Sequence, residues 1–369
     1  MKSCATSSHS FQPERPWPPA CSLAGGATSG RKSMSWTSTM ISFSPLNVHM
    51  MKQKPKGRFL NLLYEFEPLL APIRKFRLSC WVGGNWYRDL LDWIDYFIRN
   101  VSELYFSLRT DGRIYNWDAF LLYNKSLVSL VLDGNMNILL DYSDPTASKT
   151  IFPSLKNLEL HINHLNLDVL LSGCPVLETL NFRTDDTDFD SEAIHMPRPL
   201  KSLTFEEQYS HYENVTLELF ECLIRAPVLN LPDFCNLIQL QLDFYGFNST
   251  LLIDLLRNCP KLQTLKIYTS EFIDDHLRKS YRNSHKRNDW TQPLSVPNCI
   301  VSHLNTVEYR GYQDTPEEHE FTAYILQKGL VLKTMRIHAK YDNLDLKRRR
   351  YMALSEIQRG SSMCRLEVH

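Results

Sequence analysis

The sequence predicts an α/β solenoid, with short parallel strands along its concave side and helices on its convex side. Three observations point there. A six-residue pattern, apolar-x-x-apolar-x-apolar, recurs ten times, its central residues are mostly 22 to 28 positions apart, and a helix-ending phrase recurs between copies. A unit this small cannot bury its apolar face alone, so neighbours must stack and pair their strands.

The copies begin with Ile73-Phe76-Leu78, Val101-Leu104-Phe106, Leu127-Leu130-Leu132, Leu155-Leu158-Leu160 and Leu177-Leu180-Phe182. They continue with Leu200-Leu203-Phe205, Leu237-Leu240-Leu242, Leu262-Leu265-Ile267, Leu304-Val307-Tyr309 and Leu332-Met335-Ile337. The last two apolar residues of each copy alternate with polar ones and so share one face of a strand. The first enters from the preceding turn. Between strands, Trp86 to Arg99, Leu165 to Leu171, Leu217 to Ile224 and Leu251 to Leu256 space their apolar residues for a helix with one packed face.

Helix ends are marked as well. Leu170-Leu171-Ser172-Gly173-Cys174-Pro175-Val176-Leu177 and Leu255-Leu256-Arg257-Asn258-Cys259-Pro260-Lys261-Leu262 share one design, and Leu223 to Leu229 repeats it with Ala226 in place of Cys. Gly173 or Asn258 suits a helix C-terminus, and the proline stops the helix before the next strand. Two intervals, Glu206 to Asn236 and Tyr268 to His303, exceed one repeat and predict loops or an irregular unit. The second holds the basic run Arg278, Lys279, Arg282, His285, Lys286 and Arg287, read as a solvated loop.

Composition narrows the function classes. Lys+Arg 41 balance Asp+Glu 41, which gives no electrostatic case for nucleic acid, and no apolar run is long enough for a bilayer. The expected location is cytoplasmic or nuclear. Nine cysteines are scattered with no C-x-x-C pair, so neither a disulfide framework nor a zinc site is expected. Cys174 and Cys259 fall at equivalent repeat positions, where small buried packing residues are expected. The N-x-S/T triplets at Asn100, Asn124, Asn214 and Asn248 read as chance.

Candidate chemistry is sparse. Gly25-Gly26-Ala27-Thr28-Ser29-Gly30-Arg31-Lys32-Ser33 has one residue too many for a phosphate loop and no strand before it. Asp186, Asp188 and Asp190 alternate like a calcium loop, yet Ser191 and Pro197 stand where Gly and Glu are needed. His161 and His164, placed at a strand and its turn, have no third ligand at useful spacing. Arg348-Arg349-Arg350 reads as the solvated face of a helix. No catalytic residue, cofactor or metal site is predicted. A binding surface is: polar residues alternating with the core leucines should face the concave side, and Glu159, His161, Asn181, Arg183, Gln241, Asp243, Lys266 and Tyr268 are the candidates.

From residue 73 to 369 the chain resembles the plant F-box/FBD/leucine-rich-repeat family. The resemblance rests on Ile73-Arg74-Lys75-Phe76-Arg77-Leu78, Ser126-Leu127-Val128-Ser129-Leu130-Val131-Leu132 and Leu171-Ser172-Gly173-Cys174-Pro175-Val176-Leu177-Glu178. From about Pro297, a strand through Val307, a helix through Tyr324 to Leu326, a strand at Leu332 to Ile337 and a helix through Tyr351 to Ile357 resemble the FBD module. The expected division is 59–296 for the repeats and 297–369 for the FBD, which would cover the open edge of the stack. The resemblance implies a substrate-recognition subunit that holds a Skp1-like adaptor through an N-terminal F-box and presents a protein substrate to an SCF-type E3 ubiquitin ligase.

Residues 1–58 do not read as that F-box. They hold one acidic residue, Glu14, and are rich in Ser, Pro and Thr, a composition expected of disorder. Reading the last base of each codon with the first two of the next, under permitted codon choices, turns residues 1–38 into a segment resembling most of a plant F-box, R-W-x-x-L-W close included. A mis-framed F-box is therefore expected here. The alternative is a repeat scaffold without ligase attachment, in which case no adaptor is bound.

Overall fold

The computed structural model of the chain describes residues 40–43, 74–82, 101–110, 115–117, 124–138, 152–165, 167–184, 196–207, 234–245, 247–270, 290, 292–339 and 344–369. Thirteen strands form one sheet in which every pairing is parallel. They are β1 (Met40–Phe43), β2 (Lys75–Val82), β3 (Glu103–Thr110), β4 (Tyr115–Trp117), β5 (Ser129–Ile138), β6 (Asn157–Leu165) and β7 (Thr179–Thr184). Then follow β8 (Ser202–Glu207), β9 (Gln239–Tyr245), β10 (Thr264–Ser270), β11 (Thr306–Tyr312), β12 (Thr334–Ala339) and β13 (Arg365–Val368). Spatial order equals chain order, except that β4 pairs β5 alongside the end of β3.

The expected solenoid is present, and each of the ten patterns supplies one strand. Their central residues stand in a single cross-strand row: Phe76, Leu104, Leu130, Leu158, Leu180, Leu203, Leu240, Leu265, Val307 and Met335 are partners in sequence. A second row, Leu78 to Ile337, runs parallel to it two residues on, and both rows are buried. A one-residue slip would turn both rows out to solvent, so the apolar period fixes the register. An eleventh copy, Leu366 in β13, extends the first row without an expected motif. There the entering residue is Cys364, one position nearer the strand, and Met363 is 80 % exposed.

The turn before each strand repeats in atomic detail. The entering leucine N–H donates to the carbonyl three residues back at Leu155, Leu177, Leu237 and Leu262. Two successive N–H groups then share one carbonyl of the preceding rung, as Glu178 and Thr179 do with Lys156, and Gln263 and Thr264 with Ile238. The residue opening the turn is buried whether it is Asn124, Phe152, Cys174, Phe234 or Cys259. Cysteine alternates there with phenylalanine and asparagine, so the slot selects for filling. Burial pushes the Cys174 thiol up to about 12, away from reactivity. Asn124 is spent internally, its Nδ2 donating to Val101 O at 2.8 Å, so that triplet is no exposed acceptor.

Five described helices pack on the core side: α1 (Leu167–Ser172), α2 (Ser249–Arg257), α3 (Asn298–Ser302), α4 (Pro316–Lys328) and α5 (Leu344–Ser355). Helix α2 begins at Asn248, whose side chain accepts from Leu251 N, and buries Leu252, Ile253, Leu255 and Leu256. It ends at Asn258 in ordinary right-handed conformation, with the side chain donating to Asp254 O at 3.2 Å. Helix α4 carries a full capping box of Thr315 and Glu318 behind Pro316. Positive φ occurs instead at Gly134, Gly311 and Asp314 among the described residues. Both glycines sit at register shifts in β5 and β11. A Cβ at Gly134 would stand 1.9 Å from Leu108 O, and one at Gly311 2.1 Å from Thr269 O.

Residues 297–369 add α3 to α5 and three rungs to the same sheet. Glu317 of α4 accepts from Ser249 N and Oγ at the start of α2, at 2.8 and 2.6 Å. The last strand, β13, pairs only β12 among the described residues. This four-residue strand bears the charged residues Arg365 and Glu367, which discourage edge-to-edge pairing. Helix α5 starts before the expected Tyr351, and Arg350 is 5 % exposed against the solvated reading. Its Nε lies 3.8 Å from Asp314 Oδ2. The phosphate-loop-like segment, the Asp186 to Asp190 run, the basic run at 278–287, the expected helices at 86–99 and 217–224 and residues 1–38 lie outside the described residues.

Candidate protein-recognition face

Each strand points its alternate residues away from the core, and in-register pairing lines these up into rows. The first outward row is Arg77, Tyr105, Val131, Glu159, Asn181, Thr204, Gln241, Lys266, Glu308, Arg336 and Glu367. Two residues on runs Ser107, Asp133, His161, Arg183, Glu206, Asp243, Tyr268, Arg310 and His338. These rows are mostly polar where the two core rows are apolar but for the Tyr309 hydroxyl.

The eight expected residues all lie on this face. Glu159, Asn181, Gln241 and Lys266 occupy the first row, and His161, Arg183, Asp243 and Tyr268 the second. Strand β8 separates them into two groups, with Thr204 and Glu206 between. His164 lies within β6 and not in its turn. Thr204, Glu206, Asp133, Glu308, Arg310, Arg336 and His338 were not among the expected residues, although they hold the same offset from their core residues. The offset rule, carried through every repeat, finds them.

Both signs of charge are interspersed on the face, and several side chains engage their neighbours. Ser107 Oγ donates to Asp133 Oδ2 at 2.8 Å, and His161 stands 3.9 Å from Asp133 and 3.6 Å from Glu159. Arg77 lies over the Tyr105 ring at 4.3 Å, and Arg310 over the Tyr268 ring at 4.7 Å. Arg310 also donates to Glu308 at 2.6 Å, and Arg336 to Glu367 at 2.8 Å. The Arg336 hydrogen bond, helped by its charge, holds the Glu367 carboxyl below its usual range. Partial burial, with repulsion from neighbouring His369 and Arg310 adding to it, holds the His338 imidazole below its usual value. The His338 and His369 rings stack with centroids 4.8 Å apart.

Two atoms stand out at the centre. His161 Nε2 and Asn181 Oδ1, on adjacent strands, are shielded from solvent and make no hydrogen bond among the described residues, His161 Nε2 standing 3.6 Å from Glu159 Oε1. A buried polar atom left unpaired costs about 1–3 kcal/mol. No group of three potential metal ligands occurs among the described residues. No described helix is long and apolar enough to cross a membrane.

Comparison with known proteins agrees with this architecture. The FBD family model matches residues 292–337, and the model described as FBD-associated F-box protein At5g56370, LRR repeats, matches 92–231. No family model for an F-box matches the chain. A putative FBD-associated F-box protein of Arabidopsis thaliana is 37 % identical over 352 residues, covering 75 % of this chain and 78 % of the relative. A putative F-box/FBD/LRR-repeat protein of the same plant is 29 % identical over 315 residues, 69 % of this chain and 68 % of the relative. A third, an F-box/FBD/LRR-repeat protein also from Arabidopsis thaliana, is 27 % identical over 361 residues, 78 % of this chain and 74 % of the relative. With a repeat ladder and C-terminal rungs in the places these matches require, the chain belongs to the plant FBD-associated F-box/LRR-repeat family.

Proposed function

We propose that this chain recognises a protein through the outward face of its sheet, as the substrate-recognition subunit of an SCF-type E3 ubiquitin ligase. The observation that carries the reading is the pair of outward, mostly polar rows that in-register pairing aligns across successive repeats, with Glu159, His161, Asn181 and Arg183 side by side on adjacent strands. Membership of a family whose relatives are named for an F-box supports the ligase part. Recognition needs only affinity and orientation from the repeats, since the ubiquitin-transfer chemistry resides in the partner subunits. The location that goes with this role is cytoplasmic or nuclear.

A second reading is favoured by residues 1–58, which do not read as an F-box: a repeat scaffold without ligase attachment. Sequencing the transcript from upstream of codon 1 to about codon 75 separates the two. A one- or two-base difference that joins the shifted frame to the repeats supports the ligase subunit. The restored chain then binds a Skp1-like adaptor in a pull-down from purified components. An unchanged frame, with no adaptor bound, leaves the scaffold.

A further inference from the structure

A second surface lies on the edge of the stack, where the chain turns into β8 to β11. A cleft of about 660 Å³ opens there, lined by Arg198, Pro199, Lys201, Asn236, Ile238, Lys261, Gln263 and His303. Three of these side chains are permanent cations and none is acidic, in a chain whose total charge is zero. The bias is therefore local. Glu178, one rung away, is already engaged, 2.6 Å from Lys201 Nζ and 3.7 Å from Lys156 Nζ.

The repeat builds the cleft. Lys201, Ile238 and Gln263 are consecutive members of the backbone chain in which each rung's N–H donates to the carbonyl of the one before. This fixes their spacing at the strand separation, about 4.8 Å. Two positions earlier stand Pro199, Asn236, Lys261 and His303. Asn236 links them, accepting from Lys261 Nζ at 2.9 Å and donating to Arg198 O at 3.1 Å. Arg198 and Lys261 are exposed.

We propose that this cleft takes an extended acidic peptide segment of a protein partner. The distance from β8 to β11 is three strand spacings, about 14 Å, which four extended residues span at about 3.3 Å each. Two carboxylates on alternate residues of such a segment meet Arg198 and Lys261, with Lys201 held by Glu178 at the cleft's edge, while Ile238, Pro199 and the lysine stems line the floor. The cleft is open to solvent, which suits a chain passing through it. The surface is separate from the outward strand face and does not depend on the reading of that face.

The test is fluorescence anisotropy with the full chain and a labelled eight-residue peptide of alternating Glu and Ser, against its Gln and Ser counterpart. The acidic peptide is expected to bind and the neutral one not, with affinity falling as salt rises. Arg198→Glu with Lys261→Glu, both at exposed turn positions, is expected to weaken binding about tenfold or more. Lys125→Glu, an exposed reversal in the turn before β5, is expected to leave it unchanged. Equal loss with Lys125→Glu, or no binding at low salt, overturns the proposal. So does displacement of the peptide by a single-stranded oligonucleotide at far lower concentration than by free acidic peptide, which would assign the cleft to phosphate backbones.

Discussion

The rungs from β6 to β10 and those from β11 to β13 occupy one sheet but are filled differently. In the first group both core slots hold only leucine, isoleucine or phenylalanine, and no polar atom needs a partner there. In β11 the second slot holds Tyr309, whose hydroxyl donates to the buried Glu318 at 2.5 Å. Glu318 also accepts from Thr315 N at 2.9 Å and Gln313 N at 3.1 Å. Burial nonetheless pushes its carboxyl up. Phe247, Trp290 and Phe321 pack around this network. An interior rung is defined by two neighbours and can be plain. β11 has two neighbours as well, β10 and β12, so filling and not position sets it apart: there a directional polar network adds to the apolar contacts in fixing the placement of α4 on the sheet.

The largest expected effect should be the same in the C-terminal rungs and in β5, ahead of the plain group, because it rests on backbone crowding. Gly134→Ala and Gly311→Ala each force a Cβ against a carbonyl at positive φ, and each is expected to cost about 4 kcal/mol in denaturant unfolding. Next comes the plain region. Leu265→Ala should cost about 3 kcal/mol, the transfer loss plus a cavity. Glu318→Gln sharpens the contrast: it keeps the volume and removes acceptor capacity, and should cost about 1–2 kcal/mol. Combined with Tyr309→Phe it should cost less than the sum, whereas combined with Leu265→Ala it should be additive.

The smallest effect is a pH dependence confined to the C-terminal rungs. The folded pKa of His338 lies below its usual value of 6.5, so the unfolded chain binds the proton more readily. The stability this contributes is complete above 6.5 and is lost as pH falls through the lower folded value. Thermal melts at descending pH should show a decline that His338→Gln removes, while the same scan on His161→Gln still shows it.

The ladder was legible in the sequence because its signal is repeated. Ten apolar triplets each specify one strand, and one spacing sets the register of all. The eight candidate residues followed from alternation alone. What stayed hidden depended on single contacts. Nothing in Arg348-Arg349-Arg350 says that the third arginine turns inward toward Asp314. The eleventh rung was missed because Cys364 enters one position nearer to the strand than Leu332 does, which breaks the pattern. Asn236, Lys261 and His303 lie far apart in sequence and become a cleft only when three turns stack.

The most direct test of the protein-recognition claim is site-specific photo-crosslinking in plant cells. A photoreactive residue is placed at Gln241 on the outward face and, separately, at Arg257 on the helix side. Recognition through the strand face predicts a discrete protein adduct from position 241 that Arg183→Glu weakens, and none from 257. Adducts from 257 alone, or equal adducts from both positions, would contradict it.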